Sequence, residues 1–465
     1  MLIGAVFAWW SAPFVVSMIN SPDNPARLYL PWDWRVLGFG LALTTVVTLL
    51  FGLTPAIRAS SVRPASALKG GDDPHARRRL MHALIAVQVA FCFLVVFAAG
   101  LFVASFERLS NRPLGFSADR VLALDVIATR PQPSSEWARV AEQLRAGQGV
   151  DNVALASWPL AVGYAQNSFL SIDGAPPGPT LAYFLRVSPG WLNTMKVRLI
   201  DGRDLRPGDL YPGTAVVNET FAKVYFNGEN PIGKSFEKTY GNLHIQNRIV
   251  GLARDAVYRN VHEAMLPVAY VPFDQVGTTG EALGTTAATL LVRTATEKSL
   301  LLATTLRKAV AQGRPGFRVS NLRTQQEINR AQSVRERLLA MLALFFAIVA
   351  LLLAGIGLFS VLDYSVLQRS REIGIRIAIG APVSNIVRLI ALEVLQLIAV
   401  GTSAGLRVGV ASSRSLESLF YEVRADDWAM LAVPPAIILI VAVLAAAGPL
   451  LRALRIDPVR MLRAN

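Results

Sequence analysis

The sequence predicts a multi-pass α-helical membrane protein of about six spans carrying one large extracytoplasmic α+β domain, and three observations predict it. Of the 465 residues 53% are apolar and the mean hydropathy is +0.42, values that a water-soluble globular chain rarely combines. Six apolar segments approach the ~20 residues needed to cross ~30 Å of hydrocarbon at ~1.5 Å rise per residue. Between the third and fourth lies a stretch from about Glu107 to Arg337 with ordinary charge, long enough to bury a core of its own.

The spans run roughly Leu2 to Ile19, Val36 to Ile57, Ala83 to Phe106, Leu338 to Leu362, Leu389 to Val410 and Ala429 to Leu451. The first lacks the basic residues that a secretory signal carries ahead of its apolar run, so it reads as a span. Lysine and arginine in short loops stay on the cytoplasmic side during insertion. They collect in three places: Arg58 to Leu80, Gln368 to Arg388, and the tail after Leu451. Asn20 to Asp33 holds only Arg27, and Ser412 to Asp427 balances Arg414 and Arg424 against acidic residues. Both termini are therefore expected in the cytoplasm and residues 107–337 outside. The +14 net charge follows largely from this sidedness and needs no nucleic acid.

The chain matches itself at a shift of 394 residues, Asp33 to Lys69 against Asp427 to Arg463. Asp33-Trp34 meets Asp427-Trp428, Pro55 meets Pro449, Arg58-Ala59 meets Arg452-Ala453, and Pro64 meets Pro458. Ordered matches outside the apolar stretch point to duplication, not shared composition. Residues 1–69 then form the last two spans and basic segment of a truncated first unit. Residues 70–106 are a cytoplasmic linker and the first span of the second. The outer domain at 107–337 and a three-span domain at 338–465 complete it. The chain is thus expected to be the C-terminal part of a longer duplicated protein, or the product of a gene whose start was lost or misassigned.

Within the outer domain, Val121 to Ala128 is a β-like run, Trp137, Val140, Ala141 and Leu144 recur at helical spacing, and Val153 to Ala156 is again β-like. Leu290 to Val292, then Leu302, Leu306, Ala309 and Val310, then Phe317 to Val319 repeat that order. Two such β-α-β units predict a split β-α-β, ferredoxin-like lobe with the middle residues inserted as a second lobe. Ala215 to Val217, Arg248 to Leu252 and Ala269 to Pro272 read as strands of that insertion.

Several chemistries are excluded. The single cysteine, Cys92, allows no intrachain disulfide and no multi-cysteine zinc site, and four histidines without paired spacing give no metal cluster. No cofactor, nucleophile–base pair or carboxylate pair stands out. Gly228, Gly233, Lys234 and Ser235 do satisfy the phosphate-loop spacing GxxxxGKS. That loop works only after a buried strand and before a helix that starts at the lysine. Here Glu219 to Phe226 looks helical, and Gly241 interrupts the residues after the lysine, so the match reads as an ordinary turn and the chain as lacking an ATPase domain.

The loop at 368–388 suits a docking element, being short and dense with charge. Ile373, Ile375, Ile377 and Ile379 alternate as in a strand. However, RSREIGIRIAIGA, Arg369 to Ala381, resembles the signature of MacB-like and FtsX-like permeases of ATP-driven (ABC) transporters, where this piece is a short coupling helix. WLNTMKVRLIDGRDL (Trp191 to Leu205), AVVNETFA (Ala215 to Ala222), NPIGK (Asn230 to Lys234) and RIVGLARD (Arg248 to Asp255) are similar to stretches of the MacB-like extracytoplasmic domain. The layout resembles that of duplicated orphan permeases. Asp363 and Arg407 depart from the family pattern and are expected to snorkel to water at helix ends.

The resemblance implies a permease of the bacterial cytoplasmic (inner) membrane. A separate cytoplasmic ABC ATPase subunit would act on the coupling loop that begins at Arg369, with Arg371, Glu372 and Arg376 making ionic contacts and Gly374 and Gly380 allowing close approach and a turn. Gly401, Gly405 and Gly409 would give the fifth span a close-packing face toward another helix, or merely relieve crowding. A second permease copy, as homodimer or missing first half, and membrane lipid are the other implied partners. The implied work is export or extraction of hydrophobic or peptide-like cargo. The alternatives are a signalling or scaffold protein regulating a periplasmic partner, and an inactive truncated permease.

Overall fold

The computed structural model describes residues 34–48, 74–240, 243–277, 280–296, 299–370, 372, 375, 379, 382–416 and 428–454. Met1–Arg108 with Arg335–Asn465 form one compact unit and Leu109–Val334 the other. In chain order the helices are α1 (Trp34–Thr48), α2 (Pro74–Ser110), α3 (Ser134–Arg145), α4 (Trp191–Met195), α5 (Glu219–Tyr225), α6 (Ala303–Gly313), α7 (Gln325–Gln332), α8 (Val334–Gln368), α9 (Val383–Leu416) and α10 (Trp428–Leu454). The strands are β1 (Val121–Gln132), β2 (Val150–Ala156), β3 (Gln166–Ile172), β4 (Leu181–Val187), β5 (Leu199–Gly202), β6 (Thr214–Asn218), β7 (Ser235–Tyr240), β8 (Leu243–Ala253), β9 (Val268–Pro272), β10 (Thr285–Thr294) and β11 (Phe317–Thr324).

Four helical stretches of the first unit are long and apolar enough to cross a membrane: Met81–Ser110, Val334–Gln368, Ile390–Ser412 and Trp428–Ala453. They coincide with the last four expected spans. The expected span Leu2 to Ile19 lies outside the described residues, and of Val36 to Ile57 only the part within α1 is described. Helix α2 is the centre of the unit, with 44% of its most apolar window buried against 17% in α8 and in α10. Val89, Phe93 and Phe97 of α2 share one apolar cluster with Ala354 and Leu358 of α8, Val394 and Ile398 of α9, and Ile438 of α10. The outward faces of α8 and α10 are apolar too, as exposed Phe346, Leu352, Ile356, Val443 and Leu444 show, a surface suited to lipid and not to water.

The second unit begins and ends in β-α-β segments. Trp137, Val140, Ala141 and Leu144 all face inward from α3, and Leu306 and Val310 from α6. Both stripes bury against alternate residues of the strands, among them Leu122, Leu124, Leu290 and Val292, as the 3.6 and 2.0 side-chain periods require. The four strands lie in the order β11-β1-β10-β2, every neighbouring pair antiparallel. The sheet then continues through β4-β3-β7-β8-β6-β9, and β9 pairs back with β4 in parallel. Those six strands therefore close into a ring, with β5 added on β8. Leu170, Phe184, Val217, Phe236, Ile249 and Val271, one from each ring strand, pack with Phe221 of α5. The ring is filled by side chains.

Candidate functional site: the loop end of the helical unit

Helix α2 carries the chain into the 109–334 unit at its C-terminus, and α8 receives it back at its N-terminus. Their other ends, the start of α2 and the end of α8, lie toward the loop 368–388. Glu393 of α9 joins them. Its carboxylate is 3.0 Å from His82 Nε2 of α2 and 3.5 Å from the Arg369 guanidinium. The three side chains are only 16%, 29% and 25% exposed respectively, so the pairing is screened less than a surface ion pair. A cavity of about 620 Å³ opens beside them, lined also by Ala86, Gln396 and Val400. One carboxylate thus bridges three helices at a place where packing leaves room to move.

Two further polar contacts tie the same bundle. Gln88 Nε2 of α2 donates to the Leu353 carbonyl of α8 at 2.8 Å. Arg452 of α10 donates to both carboxylate oxygens of Asp363, at 2.6 and 2.7 Å. The expectation that Asp363 simply snorkels to water is corrected: its side chain is 18% exposed and ion-paired, a geometry that neutralises the charge within the bundle. Arg407 is exposed on α9.

Of the loop residues that the sequence points to, Arg369 joins the Glu393 cluster, and Glu372 is helical and exposed. Ile375 is helical as well, and the Ile379 N–H donates to its carbonyl at 3.0 Å. That contact is a helical i to i−4 bond, so Ile375 and Ile379 are not in a strand; Ile373 and Ile377 lie outside the described residues. Arg371, Gly374, Arg376 and Gly380 lie outside the described residues. The three glycines of α9 all face α2. A Cβ on Gly401 would stand 2.7 Å from Val89 Cβ, one on Gly405 2.8 Å from the Ala90 carbonyl, and one on Gly409 3.2 Å from the Phe97 ring.

Sequence reasoning misses His82 and Glu393. Glu393 sits inside the segment Leu389 to Val410, and an ionisable residue within a span is by itself a signal of a partner or a function. Window-averaged hydropathy hides one carboxylate among apolar neighbours. His82 falls one position before the expected span at Ala83.

In the second unit the GxxxxGKS match has other work. Ser235 opens strand β7, not a helix, so no helix N-terminus faces the loop. Lys234 Nζ pairs with Glu229 at 2.7 Å and lies 5.1 Å over the Phe226 ring. The motifs around it converge structurally. The buried Asn218 caps α5 by accepting from the Phe221 N–H at 3.0 Å, and its Oδ1 also accepts from the Val268 N–H at 2.9 Å. Asp255 accepts from the Thr220 N–H and hydroxyl at 2.9 and 2.7 Å. Asn230 donates to Asp201 at 2.6 Å, and Gly202 lies so close to β8 that a Cβ would meet the Val250 carbonyl.

Four apolar helices with a large α+β unit inserted after the first define a multi-pass membrane protein with one bulky domain outside the lipid. Residues 83–305 match the MacB-like periplasmic core domain, and residues 344–458 match the FtsX-like permease C-terminal domain. The chain belongs with the MacB-like and FtsX-like ABC permeases, inner-membrane proteins with a periplasmic domain. Among curated relatives, the macrolide export ATP-binding/permease protein MacB of Marinobacter nauticus is 27% identical over 220 residues, 45% of this chain and 32% of that protein. Its namesake in Chromobacterium violaceum is 33% identical over 116 residues, 25% and 17% of the two chains. The chain spans about a third of the length of the first of these relatives. Among solved structures, the periplasmic region of MacB from Actinobacillus actinomycetemcomitans aligns over 48% of this chain and 96% of its own, with 14% identity and a TM-score of 0.32.

Proposed function

We propose that this chain is the membrane subunit of an ABC transporter, driven by a separate cytoplasmic ATPase that acts on the loop 368–388. Arg371, Glu372 and Arg376 take the ionic contacts with that ATPase, Arg369 ties the loop to Glu393, and Gly374 and Gly380 let the ATPase surface approach. Movement of the loop passes through α8 and α2, both of which connect directly to the periplasmic domain, and the outcome is export or extraction of a hydrophobic or peptide-like cargo. The observation that carries this reading is Glu393, which links Arg369 at the mouth of the loop to His82 on the central helix α2. The relatives' names join ATP binding and permease in one protein, which supports a permease coupled to ATP hydrolysis.

The same reading places both termini in the cytoplasm, takes residues 1–69 as the last two spans and basic segment of a first permease unit, and pairs the chain with a second permease copy. The strand order β11-β1-β10-β2 supports a split β-α-β lobe, with the six-stranded ring as the inserted lobe. Gly401, Gly405 and Gly409 serve as the close-packing face of α9 on α2.

The test is to purify the detergent-solubilised protein from its own cells, beside a variant carrying Glu372→Ala and Arg376→Ala, with ATPase assay and mass spectrometry of what accompanies each. An ATPase retained by the unaltered chain and lost by the variant supports the coupling loop. Absence of any ATPase from the unaltered chain defeats the permease reading in favour of a scaffold.

A further inference from the structure

The periplasmic unit holds a cavity of about 650 Å³ between the segment leading to β1, the 3-10 turn Ser299–Leu302 and the start of α7. Its walls carry Arg120, Lys196, Arg293 and Arg330 against Asp119 and Glu327, a surplus of positive charge. The two carboxylates are held by neutral donors: Gln326 Nε2 donates to Asp119 at 2.8 Å, and the Thr324 N–H donates to Glu327 at 2.9 Å. Arg293 is the unusual member. It is 4% exposed, and its guanidinium donates to the carbonyls of Thr194, Asp119 and Ser117 at 2.6, 2.8 and 3.1 Å. No carboxylate pairs with it among the described residues. Three carbonyl dipoles orient the group; Asp119 and Asp151 act on it only at a distance, Asp151 being paired with Arg120 at 3.4 Å, and a cation with no bonded carboxylate in a partly desolvated pocket favours an anion. Burial, with the Arg120 charge behind it, lowers its pKa from the ordinary value.

Lys196 and Arg330 are exposed at the rim, and neither side chain has a partner among the described residues. Beside them Leu300, which lines the cavity, and Leu301 are 51% and 76% exposed. Adjacent leucines left open beside a cationic pocket suit a ligand with a charged end and an apolar end. Guanidinium forks with an ammonium match the oxygens of a phosphate. We propose that this cavity binds the phosphate group of an amphiphilic anion, with Lys196, Arg293 and Arg330 on the phosphate and Leu300 and Leu301 on the apolar part.

The test uses the full chain in an uncharged detergent, titrated calorimetrically with dihexanoyl-phosphatidylglycerol, dihexanoyl-phosphatidylcholine and inorganic phosphate. The unaltered protein should bind the glycerol lipid at least about tenfold more tightly than the Lys196→Glu/Arg330→Glu variant does, a difference of about 1.4 kcal/mol. Leu300→Ser/Leu301→Ser should weaken the lipid and leave inorganic phosphate unchanged. Both variants alter exposed side chains, and an unchanged thermal midpoint confirms their fold. Inorganic phosphate binding as tightly as the lipid, in a manner abolished by the charge reversal, overturns the amphiphile in favour of a free phosphate. Equal binding of the two lipids, equal binding by the charge-reversed protein, or no binding of either anion overturns the site.

Discussion

Replacing Glu393 with glutamine keeps the size of the side chain and removes the charge that holds His82 and Arg369. Exposed ion pairs contribute ~0.2–1 kcal/mol, and hydrogen bonds to a charged partner ~1.5–3 kcal/mol. The Glu393 carboxylate is 16% exposed, between those regimes, at 3.0 Å from one partner and 3.5 Å from the other. Together the two contacts are worth about 2 kcal/mol, the 3.0 Å contact supplying the larger share and the 3.5 Å contact at least about 0.5 kcal/mol. At ~2–4 °C per kcal/mol for a unit of this size, the thermal midpoint in detergent should fall by about 4–8 °C. Arg369→Gln should destabilise the unaltered protein more than it destabilises the Glu393→Gln background, by at least about 0.5 kcal/mol of coupling. A midpoint within 1 °C of the unaltered protein (on the order of 0.3 kcal/mol) together with strict additivity would refute the three-helix bridge.

Two other perturbations discriminate among contacts. Gly405→Ala should lower the midpoint, because an added Cβ meets the Ala90 carbonyl at 2.8 Å and Phe93 at 2.9 Å, and overpacking of ~1–3 kcal/mol outweighs the ~1 kcal/mol gained in helix propensity. Gly409→Ala, whose nearest contact is 3.2 Å, should be neutral or mildly stabilising; the reverse order in a melting series would sink the packing argument. In the periplasmic unit Arg203 donates to both oxygens of Asp209 at 2.7 and 3.0 Å, and the Arg206 N–H donates at 2.8 Å. The Arg203 hydrogen bonds come first among the causes that hold the Asp209 carboxyl below its ordinary value. Its stabilising effect is therefore complete above the unfolded value of ~3.9 and is lost as pH falls through the lower folded value. The midpoint gap between the unaltered protein and Asp209→Asn should be constant near neutrality and shrink below about pH 4; a gap that widens toward acid would contradict the assignment.

What is legible in the sequence is what local periodicity encodes. Trp137, Val140, Ala141 and Leu144 recur at helical spacing and all are buried on α3, and the apolar runs at Val121 and Leu290 form the paired strands β1 and β10. Strand β3 escapes such a reading because Gln166, Asn167 and Ser168 are polar and mostly exposed, leaving no alternation to read. Ring closure escapes it for another reason. The pairing of Tyr183 with Val268 joins segments far apart in the chain, and parallel pairing leaves no turn signature between them. At the helical site, Arg369 is visible through its charged loop. Glu393 and His82 are not, since their meaning depends on which helices lie side by side. The GxxxxGKS match shows the converse, a local spacing whose chemistry vanishes once Ser235 is found to open a strand.

The six-stranded ring departs from and returns to the rest of its unit at one place. Strand β2 ends at Ala156, whose neighbour on β10 is Thr289, and the chain re-enters β10 at Thr285, so the exit and re-entry points lie on neighbouring strands, roughly 13 Å apart along the strand direction and ~5 Å across. A loop could join them and leave the four strands paired, and the ring would keep its own closed circuit of hydrogen bonds, at the loss of the Ala156–Val187 pair. The lobe is therefore a cassette. Exchange of the ring must nonetheless keep a shared core, since Ala154, Ala156 and Leu291 of the four strands pack in one cluster with Tyr183, Val216 and Tyr270 of the ring. Diversity of recognition can then accumulate on the ring's outer residues while that core is kept.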